Sequence, residues 1–240
     1  MCSGEAKTDI ASNLTKVLDK IGGAEKKYSR KAHSVRLLAV SKFHPEQSVI
    51  DAIQAGQTSF GENRIQEAAA KFDSLRQKGF SPDLHIIGTL QRNKVKEAVR
   101  IASCIESVDR IALLEEIEKQ CARIEKHISV YFELHTGEES KSGFPDADSL
   151  AQAVSLCAAG TFPHIIPKGF MTMAPNTDDD SAIHFSFKTL AQTAESLRSR
   201  FPQLPLTELS MGMSHDFEAA IEEGSTEVRI GTAIFGERTV

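Results

Sequence analysis

The chain has 240 residues, 40% of them hydrophobic and 25% charged, with a formal net charge of -5, enough to bury the core of one large α/β domain and without the positive excess that draws a protein to nucleic acid or anionic membrane. Its four cysteines, Cys2, Cys104, Cys121 and Cys157, are widely spaced and form no CxxC pair, which argues against a zinc knuckle or a disulfide framework and for a reduced, cytoplasmic chain with no metal site. The opening "MCSGEAKTDIASNL" has no apolar signal core and no segment reaches membrane-spanning length, so no membrane partner is expected.

Residues 1–30 are read as an N-terminal helical extension: Ile10, Leu14, Val17, Leu18 and Ile21 recur at helical spacing, with Gly22-Gly23 as the expected stop. Val35 to Ser41 is the first strand, and "PEQSVIDAIQAG" a helix with Pro45 near its first turn and Gly56 at its end. The alternation then repeats. "QTSFG" is a strand and Ile65, Ala68, Ala69, Phe72 and Leu75 mark a helix; "LHIIG" is a strand and "QRNKVKEAV" a short helix. "IASCIESV" is the fourth strand, followed by a helix with Ile111, Leu114, Ile117, Cys121 and Ile124, and "ISVYFELHT" is the fifth. Beyond the loop "GEESKSGFPDAD" comes a helix with Leu150, Val154 and Cys157, then "HIIPKGFMTM" as a sixth strand, although Pro167 removes a ladder donor from it. "PNTDDDS" carries N-terminal capping chemistry for the helix of Ile183, Phe187, Leu190, Ala194 and Leu197. "LPLTELS" is the seventh strand, "HDFEAAIEEG" a helix, "TEVRIG" the eighth strand and "TAIFGE" a closing turn.

Eight strand-helix units in a chain of this length predict an α/β fold in one domain, 1–240, a single closed (β/α)₈ TIM barrel with an additional N-terminal helix. An open sheet in which two short strands are really loops is the alternative. In a barrel the chemistry gathers where strands end and helices begin. "SKFHP", "FGENRIQEA", "LSMGMSHD" and "VRIGTAIFG" meet that condition, and ring closure puts the first strand beside the eighth.

In "MGMSHDF" and "IGTAIFG" a glycine permits close backbone approach and a hydroxyl residue, Ser214 or Thr232, stands at or near a helix N-terminus. Together, on the last two strand-helix loops, they can hold a phosphate; singly, Ser214 caps a helix and Gly231 turns a corner. Lys42, delivered to the barrel mouth by "LLAVS", is either a snorkelling surface residue or an amine that forms a Schiff base with a carbonyl. Amine plus phosphate site implies a phosphorylated aldehyde, either pyridoxal phosphate or a sugar phosphate. Arg229 alternates with Val228 and Ile230; if those two face the helices, Arg229 faces the barrel interior. A guanidinium beside a pyridine nitrogen keeps that nitrogen unprotonated and weakens the ring as an electron sink.

"AVSKFHP", "AGQTSFGENRIQEA", "IGTLQRNKVK", "SGFP" after "GEESK", "KGFMTMAP" and "LSMGMSHDFEAAIEEGSTEVRIGTAIFGER", in this order from about Val35 to Arg238, resemble the pyridoxal phosphate homeostasis protein family. The resemblance implies a barrel like the N-terminal domain of alanine racemase, without the racemase's second β-rich domain. It implies pyridoxal 5'-phosphate held as a Schiff base on Lys42, the phosphate met by Ser214, Gly231 and Thr232, and Arg229 at the pyridine nitrogen. Asn63 matches another pocket position, and Met173 and Met211 line the pocket.

The chain departs from the family pattern at Arg64, where tyrosine is common after "GEN", at Thr89 in place of histidine, and at Leu134 and His135 in "LHTGE" in place of an asparagine-containing segment. These changes put in doubt any partner or ligand network at the open mouth more than the cofactor cradle. The expected function is a carrier or regulator of intracellular pyridoxal phosphate supply, buffering the cofactor or delivering it to cofactor-dependent apoenzymes, and not a robust enzyme. The alternative is a weak amino-acid racemase or Schiff-base lyase. Racemisation needs proton-transfer groups on both faces; Lys42 supplies one, but Tyr28 and Tyr131, the two tyrosines of the chain, offer no evident second. A barrel for some other phosphate metabolite is a further alternative. The basic run "QRNKVK" lacks interleaved aromatics and reads as a solvated helix face, so no nucleic-acid partner is expected.

Overall fold

The structure, a computed structural model, describes residues 8–137 and 142–237; part of the "GEESKSGFPDAD" loop and the last residues of the C-terminal motif lie outside them. Eight parallel strands close into a barrel in sequence order: β1 (Arg36–Val40), β2 (Ser59–Glu62), β3 (Asp83–Ile86), β4 (Cys104–Val108), β5 (Ile128–Glu133), β6 (Ile165–Met171), β7 (Glu208–Ser210) and β8 (Glu227–Ile230). Closure is made by β1 against β8, in register from Arg36 opposite Glu227 to Ala39 opposite Ile230. The open-sheet alternative is thereby removed.

Helices α1 (Ile10–Lys27), α2 (Glu46–Gln54), α3 (Ile65–Gln77), α4 (Val95–Ile101), α5 (Ile111–Ala122), α6 (Ala147–Ala158), α7 (Asp180–Arg200), α8 (Phe217–Glu222) and the one-turn α9 (Thr232–Phe235) surround the strands, with a 3₁₀ turn at Arg92–Lys94 before α4. Each strand sorts its residues by pleat. Leu37, Ala39, Leu84, Ile86, Val130, Phe132, Val228 and Ile230 join the main apolar core under the helices, while Cys104, Tyr131 and Met171 form a separate cluster inside the barrel. Among the described residues no helix is long and apolar enough to cross a membrane.

Several elements differ from the sequence expectation. Helix α1 runs through Gly22-Gly23 to Lys27, because the apolar face continues at buried Ala24 and the buried Glu25 carboxylate takes the N–H groups of His33 and Val35 at 3.0 and 2.8 Å. That anchorage outweighs the low helix propensity of two solvent-facing glycines. Helix α5 ends at Ala122, leaving Ile124 outside it and 53% exposed. Pro167 does sit within β6, and the ladder to β5 shifts there, Val130 facing Pro167 and Tyr131 facing Gly169; the missing donor falls at the irregularity. At Gly169 a Cβ would lie 1.9 Å from the Glu208 carbonyl oxygen, so only glycine lets β6 and β7 meet. Asp179 caps α7 by accepting the N–H groups of Ser181 and Ala182, as the acidic run implied. The seventh strand is shorter than "LPLTELS". Helix α8 starts at Phe217 with Asp216 in the cap position, so Ser214 lies in the preceding turn and caps nothing.

Candidate functional site

At the C-terminal mouth of the barrel, the end of β1 is fixed before Lys42 begins. Ser41 donates its N–H to the Gly61 carbonyl at 3.1 Å and its hydroxyl to Glu62 Oε1 at 2.7 Å. The Lys71 ammonium of α3 reaches the same carboxylate oxygen at 2.8 Å and the Ser41 carbonyl at 2.9 Å. Glu62 is wholly buried, so this pair is paid in desolvation and returned in position. The chain then turns, His44 donating to the Ser41 carbonyl at 3.2 Å and Phe43 adopting φ 67°. A left-handed phenylalanine is strained, and the turn is braced by its neighbours. His44 packs on Phe235 of α9 with ring centroids 5.2 Å apart, and the Arg64 guanidinium lies 4.9 Å over the Phe43 ring. Half-buried Lys42 is carried at the head of this turn.

Arg229, 5% exposed, points into the barrel as the alternation of β8 required. Its guanidinium donates to the Ser210 carbonyl at 2.6 Å, the Ser210 hydroxyl at 2.7 Å and the Thr172 carbonyl at 2.7 Å. These bonds fix the fork across the ends of β6 and β7. The β8 end runs close against β1: a Cβ on Gly231 would sit 3.0 Å from the Val40 carbonyl oxygen. Thr232 opens α9, whose Ile234 and Phe235 N–H groups bond the Gly231 carbonyl, leaving the first amides of the turn outside the helical ladder. On the β7 side, Gly212 has φ 98° and a Cβ there would lie 2.6 Å from Ala220 Cβ, so the loop folds down on α8. Asp216 accepts from the Met213 N–H and donates its own N–H to the Met213 carbonyl; Ser214 rides on that turn.

Asn63, after β2, presents a buried Oδ1 without a hydrogen-bond partner. Gly88, after β3, lets the two loops touch, since a Cβ there would lie 2.9 Å from Asn63 Cα. Met173 packs on the interior cluster of Cys104, Tyr131 and Met171. Met211 does not join them: it is fully buried in the layer between barrel and helices, because pleat alternation after inward Ser210 turns it outward.

Glu133 at this mouth escaped the sequence reading, while Thr89 and His135 were marked there as departures from the family pattern. Glu133, ending β5, is 2% exposed; burial pushes its carboxyl up to about 7, against the hydrogen bond from the Ser142 hydroxyl, and its Oε2 has no partner. Thr89 donates to that Ser142 hydroxyl at 3.3 Å. His135 has a buried Nδ1 without a partner. Alternation with Tyr131 in "YFE" was the available signal for Glu133; nothing local marks Ser142 as its partner.

Fold and mouth together define a class: a (β/α)₈ barrel of the alanine racemase N-terminal-domain kind, whose C-terminal end offers an amine, a guanidinium and two amide-bearing turns. Residues 23–239 match the model of the alanine racemase N-terminal domain family, and the alanine racemase of Corynebacterium glutamicum superposes with a TM-score of 0.73 at 20% identity, over 96% of this chain and 62% of that one. More similar are the pyridoxal phosphate homeostasis proteins of Haemophilus influenzae, 35% identical over 231 residues and 96% of each chain, and of Escherichia coli K12, 36% identical over 235 residues, 96% of this chain and 97% of that one. PipY of Synechococcus elongatus PCC7942, solved with PLP bound, superposes with a TM-score of 0.83 at 33% identity, over 95% of this chain and 100% of PipY. The chain belongs to the pyridoxal phosphate homeostasis protein family.

Proposed function

We propose that this protein binds pyridoxal 5'-phosphate and serves vitamin B6 homeostasis in the cytoplasm, storing the cofactor and releasing it to cofactor-dependent apoenzymes. The observation that carries the reading is the direct pairing of β1, which leads into Lys42, with β8, which carries Arg229, beside the glycine-built turns of Gly212 and Gly231. The buried, unpartnered Asn63 Oδ1 fits a group that brings its own donor. When bound, pyridoxal phosphate supplies an aldehyde that an amine can capture and a phosphate dianion that N–H and O–H groups can hold. Lys42 would take the aldehyde as a Schiff base, Ser214, Gly231 and Thr232 the phosphate, and Arg229 would stand at the ring nitrogen.

Attachment without robust turnover is the second half of the proposal, and the tyrosines support it. Tyr131 lies inside the barrel toward its N-terminal end, accepting from Arg36 at 3.0 Å, and burial pushes its phenol well above the usual range. Tyr28 closes α1. Neither stands at the C-terminal mouth, whose titratable candidates for a second proton-transfer group are Glu133 and His135. The test is to load the protein, record its visible spectrum, reduce with borohydride and map the pyridoxyl adduct by peptide mass spectrometry. An adduct on Lys42, absent in Lys42→Ala, is expected; no adduct on Lys42 overturns the reading. Chiral amino-acid assays and timed transfer to an apoenzyme then separate a carrier from a racemase.

A further inference from the structure

The opposite, N-terminal mouth of the barrel holds a second group of functional side chains that the cofactor site does not use. His85 of β3, Glu106 of β4 and Glu227 of β8 all turn inward and are buried, and one donor atom from each lies within 4.8 Å of the others. His85 Nδ1 is 2.6 Å from Glu106 Oε1 and 3.9 Å from Glu227 Oε1. His85 and Glu227 line a cavity of about 250 Å³ whose wall also includes Arg36, Asp83, Tyr131, Lys168 and Glu208, with Glu106 set behind that wall.

Two features distinguish this cluster from an ordinary buried ion pair. First, Glu227 is 2% exposed, yet its Oε1, the atom aimed into the cluster, has no hydrogen-bond partner; a buried carboxylate oxygen left bare is costly. Second, each of the three groups is oriented from behind by another. Asp83 holds His85 Nε2 at 3.3 Å, the Ser210 hydroxyl holds Glu106 Oε2 at 2.6 Å, and Arg36 holds Glu227 Oε2 at 3.3 Å. A carboxylate behind the far nitrogen of a histidine is the arrangement that fixes ligand orientation in metal sites.

We propose that His85 Nδ1, Glu106 Oε1 and Glu227 Oε1 form a binding site for a divalent transition ion of the Zn²⁺ or Mn²⁺ class, with the remaining coordination position open to the cavity. One imidazole nitrogen and two carboxylates suit such borderline ions better than soft Cu(I), which favours sulfur, or Ca²⁺, which favours an all-oxygen shell. A tetrahedral ion with bonds of about 2.0–2.1 Å places its donors about 3.4 Å apart, and the separations of 2.6 and 3.9 Å bracket that value. An ion bound here displaces any proton that the three donors hold. This site lies at the other end of the barrel from Lys42 and is linked to Arg229 through the Ser210 hydroxyl, which accepts from Arg229 and donates to Glu106.

The test uses the full-length protein, stripped with chelator and titrated calorimetrically with Zn²⁺, with Mn²⁺ followed in parallel by electron paramagnetic resonance. One ion per chain is expected, with heats that change with the buffer's ionisation enthalpy because protons leave. Affinity should fall about tenfold or more in Glu227→Gln and in His85→Gln, and stay unchanged in His164→Gln, where the histidine pairs with Glu118 on another face. Absence of stoichiometric binding, or equal affinity in the parent and Glu227→Gln, overturns the proposal. Should His85→Gln fail to melt cooperatively, the near-isosteric Glu227→Gln decides alone.

Discussion

The two ends of the barrel solve opposite problems with the same strands. At the N-terminal end charges answer one another, Glu227 Oε1 excepted: Arg36 reaches both Glu208 and Glu227, and His85 sits between Asp83 and Glu106. At the C-terminal end the polar groups of Asn63, Glu133 and His135 include buried atoms with no partner, and Arg229 is held by carbonyl and hydroxyl oxygens instead of a carboxylate. A cation kept by neutral acceptors retains its field for a neighbour, whereas one bonded to a carboxylate has it cancelled. The contrast teaches which end is built to receive an anionic ligand.

Several changes break or sharpen that contrast, beginning with the largest effect. Lys42→Ala removes covalent capture outright, and reduced, cofactor-treated protein should show no pyridoxyl peptide there while its thermal melt stays near that of the parent. Lys71→Met strands the buried Glu62 carboxylate beneath the Lys42 turn. A cost of about 3–5 kcal/mol in urea unfolding is expected, with slower adduct formation on the surviving lysine. Glu133→Gln acts in the other direction. With its folded pKa of about 7 above the ordinary carboxyl range, the native state holds the proton more tightly, so stability falls as pH rises from that range through 7 and stays low above it. The amide should therefore raise stability by on the order of 2–3 kcal/mol at pH 8 and leave it unchanged near pH 4, as melts at the two pH values would read.

Ser210→Ala tests the single hydroxyl that joins the two ends, since it accepts from Arg229 and donates to Glu106. Losing it should cost about 1–3 kcal/mol in unfolding free energy and shift the spectrum of the loaded protein through Arg229. The smallest effect is expected of Arg64→Ala. Its ion pair with Glu67 is exposed on both sides, so equilibrium unfolding should move by about 0.5 kcal/mol or less, the Phe43 stacking adding a similarly small term.

The barrel was legible because its strands are two-faced or uniformly apolar and its helices carry a 3.6-residue stripe; even "HIIPKGFMTM" kept its strand, the proline being absorbed where β6 slips against β5. The strand-end position of Lys42 and the inward pleat of Arg229 were legible in the sequence, whereas their roles toward a cofactor came from the family resemblance. What could not be read were partnerships set by three-dimensional closeness. Lys71 looks like any solvent-facing helix residue until Glu62 and Ser41 are placed beneath it. The His85, Glu106 and Glu227 cluster draws on three strands, one of them far from the others in sequence. Met211 was placed in the pocket by the family resemblance, whereas alternation sends that methionine into the helix-packed layer.

The pairing of β1 with β8 also has a meaning for how the protein is made. Lys42 leaves the ribosome among the earliest structured residues, but Arg229, Gly231 and Thr232 are among the last. The ring cannot close until nearly the whole chain has emerged, and such sequence-distant pairing is slow to form. A nascent or truncated chain ending before β8 carries the reactive amine without the guanidinium or the second amide turn. The mouth to which Lys42 and Arg229 belong is thus completed only when β8 takes its place beside β1.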